Sequence, residues 1–303
     1  MFSAPLKAEK SDELLDMHLV DAKGILSAKN GMNIYRGCTH GCIYCDSRSL
    51  CYHIDHPFED IEVKQNAPEL LEKALRSKRK KCVIGTGSMC DPYMPVEKEL
   101  MIMRRCLEVI DHYGFGAALI TKSDLVLRDL DLLCSINEEQ KAAVQITMTT
   151  FSDELCRKIE PVVCPTSRRY EVLKKMQENH IPTYVWLTPI LPYINDMPEN
   201  ISGLLDMCAD AGVKGIVCFN MGLTLREGNR EYFYSALDRL FPGLRKRYEK
   251  EYGLSYVVNS PDNGRLMMQF HSFCEKHGII HDPEQCFEDI VQLPEKYKQL
   301  SLF

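Results

Sequence analysis

The sequence predicts an α/β fold, in which a partial (β/α)6 barrel carries a mostly helical C-terminal extension. Short apolar runs alternate with longer segments whose apolar residues recur at spacings of three and four, the pattern of strands followed by helices. Repetition of this unit implies parallel strands, right-handed crossovers and helices that cover the sheet. We count six units, fewer than the eight of a closed TIM barrel, so the predicted architecture is a partial, TIM-like barrel.

Each unit begins with a short apolar strand and continues into an amphipathic helix. The predicted strands cover residues 32–35, 82–84, 117–121, 144–148, 183–187 and 215–219. The predicted helices between them cover residues 68–76, 97–112, 125–135, 167–179 and 199–211. Asn179 and Gly212 mark helix ends just before the next strand, as such connections require.

After residue 225 the alternation weakens into charged helical segments at 226–240 and 244–252. We therefore expect four parts in the chain. They are an N-terminal extension over residues 1–30, a core barrel over 31–224, a C-terminal extension packed on the barrel over 225–294, and a flexible tail over 295–303.

The composition is typical of a globular cytoplasmic protein. The 303 residues include 37 Lys and Arg against 43 Asp and Glu, a net charge of −6, and 45% of them are hydrophobic. This balance excludes a disordered chain and a wholly basic nucleic-acid coat. No apolar stretch approaches the roughly 18 residues of a membrane helix, and residues 1–16 contain no apolar signal region. We expect a cytoplasmic protein without membrane contact, whose 14 cysteines are mostly reduced.

One group of cysteines is dense enough to indicate chemistry. Cys38, Cys42 and Cys45 follow the first predicted strand, so they lie on a loop at the end of the barrel where active sites are built. Gly37 and Gly41 allow this loop to curl until three thiolates converge on one soft metal centre. A structural metal site would normally have a fourth ligand, so three cysteines leave one position open for an exogenous ligand.

Other interpretations of the cysteines and histidines remain open. The three cysteines together with His40 are a possible zinc site, or they are buried thiols without a metal. A second pattern, formed by Cys274, His277, His281 and Cys286, also has spacing that a zinc ion accepts. The alternative is a helix over residues 265–276 that ends at Gly278.

The C-x3-C-x2-C spacing, with Tyr44 before the last cysteine, resembles the signature of the radical S-adenosylmethionine superfamily. The resemblance implies that the three cysteines hold a [4Fe–4S] cluster whose fourth iron chelates S-adenosylmethionine. An external one-electron donor then drives cleavage of the cofactor to a 5′-deoxyadenosyl radical, which abstracts hydrogen from a substrate. By the same resemblance Tyr44 lies near the adenine.

Further segments resemble one branch of that superfamily, the spore photoproduct lyase-like (DNA repair photolyase-like) proteins. They are residues 35–38, 91–97, 121–129, 159–161 and 188–192. The branch implies that the enzyme acts on a DNA lesion as a carbon–carbon lyase. The candidates for the site are Asp91 and Tyr93 as catalytic residues, and Ser88, Lys122, Ser123 and Arg168 as cofactor-binding residues. Of these, Ser88 precedes the second segment and Arg168 follows the fourth.

The sequence departs from the branch at the residue that returns hydrogen to the substrate radical. In the lyases a cysteine stands three residues before the aspartate that matches Asp91, and here that position is Ser88. Cys90 is the candidate hydrogen donor from a shifted position, and its alternative role is that of a structural thiol.

The last five residues resemble the peptide by which bacterial polymerases and repair proteins bind the sliding clamp. The candidate clamp-binding residues are Gln299, Leu300, Leu302 and Phe303. A flexible terminus with two apolar anchors and a glutamine suits a preformed groove. The alternative is a tail that folds back on the barrel.

Three functions follow from these observations. The first is a radical S-adenosylmethionine enzyme that repairs DNA. The second keeps the radical chemistry and moves the substrate to RNA, a peptide or a small molecule. The third is a non-catalytic iron–sulfur accessory protein that binds the clamp.

Overall fold

The computed structural model describes residues 17–294, and its architecture is a parallel sheet surrounded by helices. The strands are β1 Met17–Val20, β2 Gly31–Met32, β3 Tyr35–Arg36, β4 Ile61–Lys64, β5 Val83–Thr86, β6 Gly116–Thr121, β7 Ala142–Thr147, β8 Thr183–Trp186, β9 Gly215–Val217, β10 Gly222–Thr224 and β11 Val257–Asn259. The helices are α1 Ala67–Ser77, α2 Glu97–Leu100, α3 Ile102–His112, α4 Leu130–Glu139, α5 Asp153–Ile159, α6 Thr166–Glu178, α7 Pro198–Asp210, α8 Asn229–Leu240, α9 Leu244–Tyr252, α10 Asn263–His277 and α11 Pro283–Val291.

Six strands form the central sheet in the order β2-β5-β6-β7-β8-β9, and every neighbouring pair is parallel. Helices connect the successive strands from β5 to β9, so each crossover returns the chain to the same end of the sheet. The predicted α/β fold, a partial barrel with a mostly helical C-terminal extension, is therefore confirmed. The domain boundaries stay a prediction.

The first predicted strand was wrong in detail. Residues 32–35 do not form one strand, because β2 ends at Met32 and Tyr35 pairs with Val63 of β4 in a separate three-stranded sheet. That small sheet, in the order β1-β4-β3, was missed in the sequence. The chain thus leaves the barrel sheet just before the cysteine loop begins.

The predicted helix over residues 97–112 is also two helices. The break is at Met101, which has a positive φ of 52°. The side chain of Glu97 accepts hydrogen bonds from the backbone N–H groups of Ile102 (3.1 Å) and Met103 (3.0 Å), which caps the new N-terminus of α3. A carboxylate that satisfies two otherwise unpaired N–H groups stabilises this interruption.

The two faces of the sheet have different partners. On the outer face, strand residues such as Leu119 and Ile146 pack against the surrounding helices in the main core. On the inner face, residues near the N-terminal ends of the strands, including Ala118 and Tyr184, pack against Cys286 and Ile290 of α11. Helix α11 therefore fills the lower part of the barrel interior, and the carboxyl ends of the strands remain open for a site.

The second zinc pattern is not assembled in the structure. Helix α10 ends at His277, and Gly278 adopts the left-handed conformation that terminates it, so the helix interpretation is confirmed. His277 stacks on Phe273, and Cys274 is buried in the main core. Between residues 17 and 294, no helix is long and apolar enough to span a membrane.

Candidate active site

The cysteine loop is shaped by two glycines and by a neighbouring carbonyl. Gly37 and Gly41 have positive φ values of 84° and 68°, which side chains adopt only with strain. A Cβ atom on Gly37 would lie 2.6 Å from the carbonyl oxygen of Phe58. The same oxygen accepts a hydrogen bond from the backbone N–H of Cys38 at 3.0 Å. The segment that contains Phe58 therefore holds the first cysteine in place.

The thiols of Cys38, Cys42 and Cys45 line one cavity of about 100 Å³. Burial raises the pKa of Cys42 to about 12, and burial together with the two neighbouring thiols raises that of Cys38. Two of the three thiols, those of Cys38 and Cys42, are buried, and Cys45 is partly exposed. Three thiolates in one place require a cationic centre to compensate them, so the donor set fits an iron–sulfur cluster.

The three thiols are not gathered as closely as the ligands of a single ion would be. Among residues 17–294, only one trio of possible metal ligands lies within 4.8 Å of one another, and it does not include these cysteines. Tetrahedral thiolate ligands of one zinc ion lie about 3.8 Å apart, because each Zn–S bond is about 2.3 Å. Sulfurs that bind separate irons of a cluster lie farther apart, which accords with the separation of these three thiols.

A buried carboxylate anchors the end of the cysteine loop. The hydroxyl of Tyr44 donates a hydrogen bond to Glu160, and the backbone N–H of Ile43 donates to the carbonyl oxygen of Ile159 at 3.0 Å. Glu160 also forms an ion pair with Arg169, and the two side chains are 0% and 1% exposed. Burial alone would raise the pKa of Glu160, but the charges of Arg169 and Lys122 outweigh it and hold this pKa below its usual range.

Arg169 extends this connection to the sheet. Its guanidinium donates hydrogen bonds to the carbonyl oxygens of Thr147, at the end of β7 (2.9 Å), and of Cys164 (3.0 Å). One buried arginine thus joins a barrel strand to the carboxylate that holds Tyr44. The orientation of the cysteine loop is fixed relative to the strand ends by these charge-assisted hydrogen bonds.

Asp91 joins the loop after β5 to the end of β6. Its carboxylate accepts hydrogen bonds from Thr121 Oγ1 (2.7 Å) and from the backbone N–H groups of Lys122 (2.7 Å) and Tyr93 (2.9 Å). His40 Nδ1 lies 3.5 Å from the same carboxylate, and burial lowers the pKa of this imidazole. These contacts support a positioning role for Asp91 beside the cysteines.

Lys122 is the cation that faces the site. It lines the cavity of the cysteines and also a larger cavity of about 530 Å³. Burial lowers the pKa of its ammonium group, but the charges of Cys42, Glu160 and Asp91 outweigh burial, so the pKa is raised and the group stays charged. A buried ammonium beside a space for a cofactor is suited to bind a carboxylate.

The larger cavity adjoins the smaller one, because residues such as Tyr44, Ser88 and Lys122 line both. Its other walls carry aromatic side chains, namely Trp186 at the end of β8, Phe219 after β9, and Tyr256. Phe219 is 56% exposed, so its ring is accessible to a ligand. The site therefore combines a small thiol-lined cavity with a larger aromatic one.

The structure brings most predicted site residues together. Around the smaller cavity lie Cys38, Cys42, Tyr44, Cys45, Ser88, Cys90, Asp91 and Lys122. The thiol of Cys90 donates a hydrogen bond to the carbonyl oxygen of Tyr35 at 2.9 Å, and burial raises its pKa to about 12. Its role as hydrogen donor stays a prediction.

Three predicted residues lie elsewhere. Tyr93 and Ser123 line another cavity, and the Tyr93 hydroxyl donates to Asp129 at 3.1 Å. Arg168 is at the surface, where it forms an ion pair with Asp124 at 2.8 Å. The structure gives these three residues no contact with either cavity of the site.

Sequence reasoning missed Arg169, the role of Glu160 and the aromatic wall. A usable signal existed for Arg169, because it is spaced three, four and seven residues from Val172, Leu173 and Met176, the buried face of α6. An arginine on an apolar face needs a buried partner, which the sequence alone does not name.

The family model of the radical SAM superfamily matches residues 32–205 of this chain. The matched region is more than half of the sequence and contains the cysteine loop and most of the parallel sheet. The chain therefore belongs to the radical SAM superfamily, as its cysteine motif predicted. Its cofactors are those of the superfamily, a [4Fe–4S] cluster and S-adenosylmethionine.

Similar proteins occur in bacteria and archaea. An uncharacterized protein of Mycobacterium tuberculosis is 29% identical over 229 residues, which cover 73% of this chain and 66% of that protein. An uncharacterized protein of Methanocaldococcus jannaschii is 34% identical over 175 residues, 57% of this chain and 64% of that protein. This chain therefore spans just under two thirds of the length of these relatives.

Solved structures of spore photoproduct lyase have the same fold. A complex of that enzyme with dinucleoside spore photoproduct matches with a TM-score of 0.63 and 12% identity, over 88% of this chain and 81% of the lyase. A variant with bound AdoMet and the same dinucleoside matches with a TM-score of 0.59 and 12% identity, over 82% and 74%. At this identity the likeness shows the fold alone.

We expect Cys42→Ala to lose the cluster, because an iron without its thiolate ligand is no longer retained. The measurement is iron and sulfide per chain after anaerobic reconstitution, with the visible absorbance of the cluster. The matched control is Cys51→Ala, since Cys51 is an exposed thiol outside both cavities. The assignment is contradicted if Cys42→Ala keeps the iron content of the wild type, or if the control loses it.

Proposed function

We propose that this enzyme repairs a lesion in DNA by radical chemistry and acts as a photoproduct lyase. The observation that carries the proposal is the aromatic cavity of about 530 Å³, which shares a wall with the cavity of the three cysteines. Its volume is in the range of ligand pockets, and stacking on aromatic side chains is the general way proteins hold unpaired bases.

The aromatic wall supports a nucleobase as the group that enters. Trp186 donates its indole N–H to Gln145 at 2.9 Å, so the ring is fixed at the end of β8. Phe219 lies 6.3 Å from Trp186, measured between ring centroids, and Phe287 of α11 lies 5.8 Å from it. The rings are tilted by 58° and 38° relative to Trp186, so they offer separate aromatic faces on which a base can stack without a sequence preference.

The lining of the smaller cavity supports a proposal for the cofactor-binding residues. When bound, the cluster and S-adenosylmethionine supply a 5′-deoxyadenosyl radical that abstracts hydrogen from the substrate. Lys122 would present its ammonium group to the cofactor carboxylate, and Ser88, which lines both cavities, would contribute a hydroxyl. Tyr44, held by Glu160, would pack against the adenosyl group. An external one-electron donor completes the system.

The test is formation of 5′-deoxyadenosine by the reconstituted enzyme under anaerobic conditions with dithionite and S-adenosylmethionine. Ultraviolet-irradiated DNA is expected to stimulate this product above the level with undamaged DNA. Cys90→Ala is expected to retain nucleoside formation and lose repaired DNA. Equal formation with both DNAs argues for RNA, a peptide or a small molecule as substrate. No formation by a protein with a verified cluster indicates an accessory role instead.

In a fluorescence-anisotropy titration, Phe219→Ala is expected to bind damaged DNA about 5- to 150-fold more weakly, because one stacking contact is worth roughly 1–3 kcal/mol. The matched control is Phe151→Ala, since Phe151 is similarly exposed (50% against 56%) and lies outside the cavity. Cofactor cleavage without DNA is unchanged in both variants. If the two variants bind damaged DNA equally, the aromatic cavity is not the base site.

We also propose that the enzyme reaches DNA through the bacterial sliding clamp. The peptide concerned, residues 299–303, lies outside the residues that the structure describes. A net charge of −6 predicts weak intrinsic affinity for DNA, because contacts to phosphates drive non-specific binding. A tether to the clamp raises the local concentration of DNA without a basic surface.

Replacement of Leu302 and Phe303 by alanine is expected to weaken clamp binding more than tenfold, because apolar anchors carry most of such a peptide's affinity. The measurement is fluorescence anisotropy or surface plasmon resonance with the purified clamp, and cofactor cleavage serves as the control of folding. Ser301→Ala, immediately before the two anchors, is the matched variant and is expected to keep its affinity. Unchanged binding by the double variant contradicts the proposal.

A further inference from the structure

Two histidines and a glutamate meet at the edge of the protein that is formed by the small three-stranded sheet. His18 of β1 and Glu62 of β4 are directly paired across parallel strands, so their side chains leave the same face. His56 approaches from the loop that precedes β4. One ligand atom from each residue lies within 4.8 Å of the others. None of the three lines either cavity of the active site.

Both imidazoles have hydrogen-bond partners at Nδ1, which leaves Nε2 to bind a metal. His18 Nδ1 lies 3.0 Å from Asp60 Oδ1, and His56 Nδ1 lies 3.0 Å from the carbonyl oxygen of Pro57. These acceptors place the ring proton on Nδ1 and leave the lone pair on Nε2. His56 Nε2 is buried and has no hydrogen-bond partner among the described residues. An oriented imidazole with an unpaired Nε2 is the usual arrangement around zinc.

Glu62 supplies the negative charge of the group. Among the described residues its carboxylate forms no hydrogen bond or ion pair. The cation next to it is Arg36, its partner on β3. The guanidinium of Arg36 instead donates to the carbonyl oxygens of Tyr52 (3.0 Å) and His53 (2.8 Å). The carboxylate is therefore available to a ligand.

We propose that His18, His56 and Glu62 bind a zinc ion, with water as the fourth ligand and Asp60 as the residue that orients His18. Two imidazoles and one carboxylate suit a borderline divalent ion, and tetrahedral bonds of about 2.0–2.1 Å bring such ligands about 3.4 Å apart. The three ligand atoms lie within 4.8 Å of one another, and rotation of the side chains brings them to the distance that zinc requires. The side chain of His18 is 41% exposed, which leaves room for the water.

The position of this site gives the metal a structural role. It ties β1 and β4 to residues 56–60, the segment whose Phe58 carbonyl oxygen accepts the hydrogen bond from Cys38. Loops held at both ends lose conformational freedom, and an ion that binds three separate segments holds them in one arrangement. The zinc ion therefore braces the segment behind the first cluster cysteine.

The test uses the full chain with its cluster reconstituted, titrated anaerobically with Co²⁺ and then with Zn²⁺ as competitor. One equivalent of cobalt is expected, with the weak visible bands of nitrogen and oxygen ligands and without the intense ultraviolet bands of thiolate ligation. His56→Gln and Glu62→Gln are expected to weaken binding at least tenfold, and Asp60→Asn by about 10–100-fold. His53→Asn, a neighbouring imidazole outside the group, is the matched control and binds as the wild type does.

Circular dichroism and iron content verify that the variants fold and retain the cluster. Zinc is also expected to slow proteolysis within residues 53–60 in the wild type and not in Glu62→Gln. The proposal is overturned if the ligand variants bind cobalt like the wild type. It is likewise overturned if all bound cobalt shows thiolate bands.

Discussion

The ion pair between Glu160 and Arg169 is the interaction on which the site depends. It lies in the interior, and it connects the cysteine loop through Tyr44 to the end of β7 through the carbonyl oxygen of Thr147. Removal of one partner from a buried pair leaves an uncompensated charge and costs about 3–5 kcal/mol. Apolar packing alone would cover the same volume without fixing the direction of the loop. Here the charges specify where the cysteines stand relative to the strand ends.

The alternation of side chains along the strands explains why the chemistry is confined to one end of the barrel. On the inner face, residues near the start of the strands, such as Ala118 and Tyr184, pack on α11. Two residues later on the same strands, Ile120 and Trp186 line the larger cavity. On the inner face, α11 therefore fills the barrel near the start of the strands, and the barrel stays open at their carboxyl ends. The cysteine loop covers one side of this opening.

Local patterns in the sequence predicted the parts of the fold and site that depend on local physics. The cysteine spacing and the apolar runs of the strands are of this kind, and so is the glycine that ends α10. Pairings between distant segments were not predictable in the same way. Tyr35 continues an apolar run but pairs with Val63 of another sheet, and Glu97 interrupts a helix because its carboxylate caps the next one.

The two adjacent arginines show the same limit within the site. Arg168 and Arg169 are chemically identical in the sequence, yet one pairs with Asp124 at the surface and the other with buried Glu160. The periodicity of α6 identifies which of them faces the core. It does not identify the partner, because Glu160 belongs to a preceding loop whose position is set by tertiary packing. The aromatic wall was missed for a similar reason. The sequence does not show which alternate residues of β8 face the inside of the barrel, and Trp186 is one of them.

The most direct test of the account is the stability and iron content of Glu160→Gln under anaerobic conditions. We predict a loss of about 3–5 kcal/mol in the free energy of unfolding, measured with urea, and poor retention of the cluster. The matched variant is Asp124→Asn, which removes the partner of Arg168 in an exposed pair and is expected to change stability by less than about 1 kcal/mol. A Glu160→Gln protein with the stability and iron content of the wild type would contradict the claim that this carboxylate holds the cysteine loop.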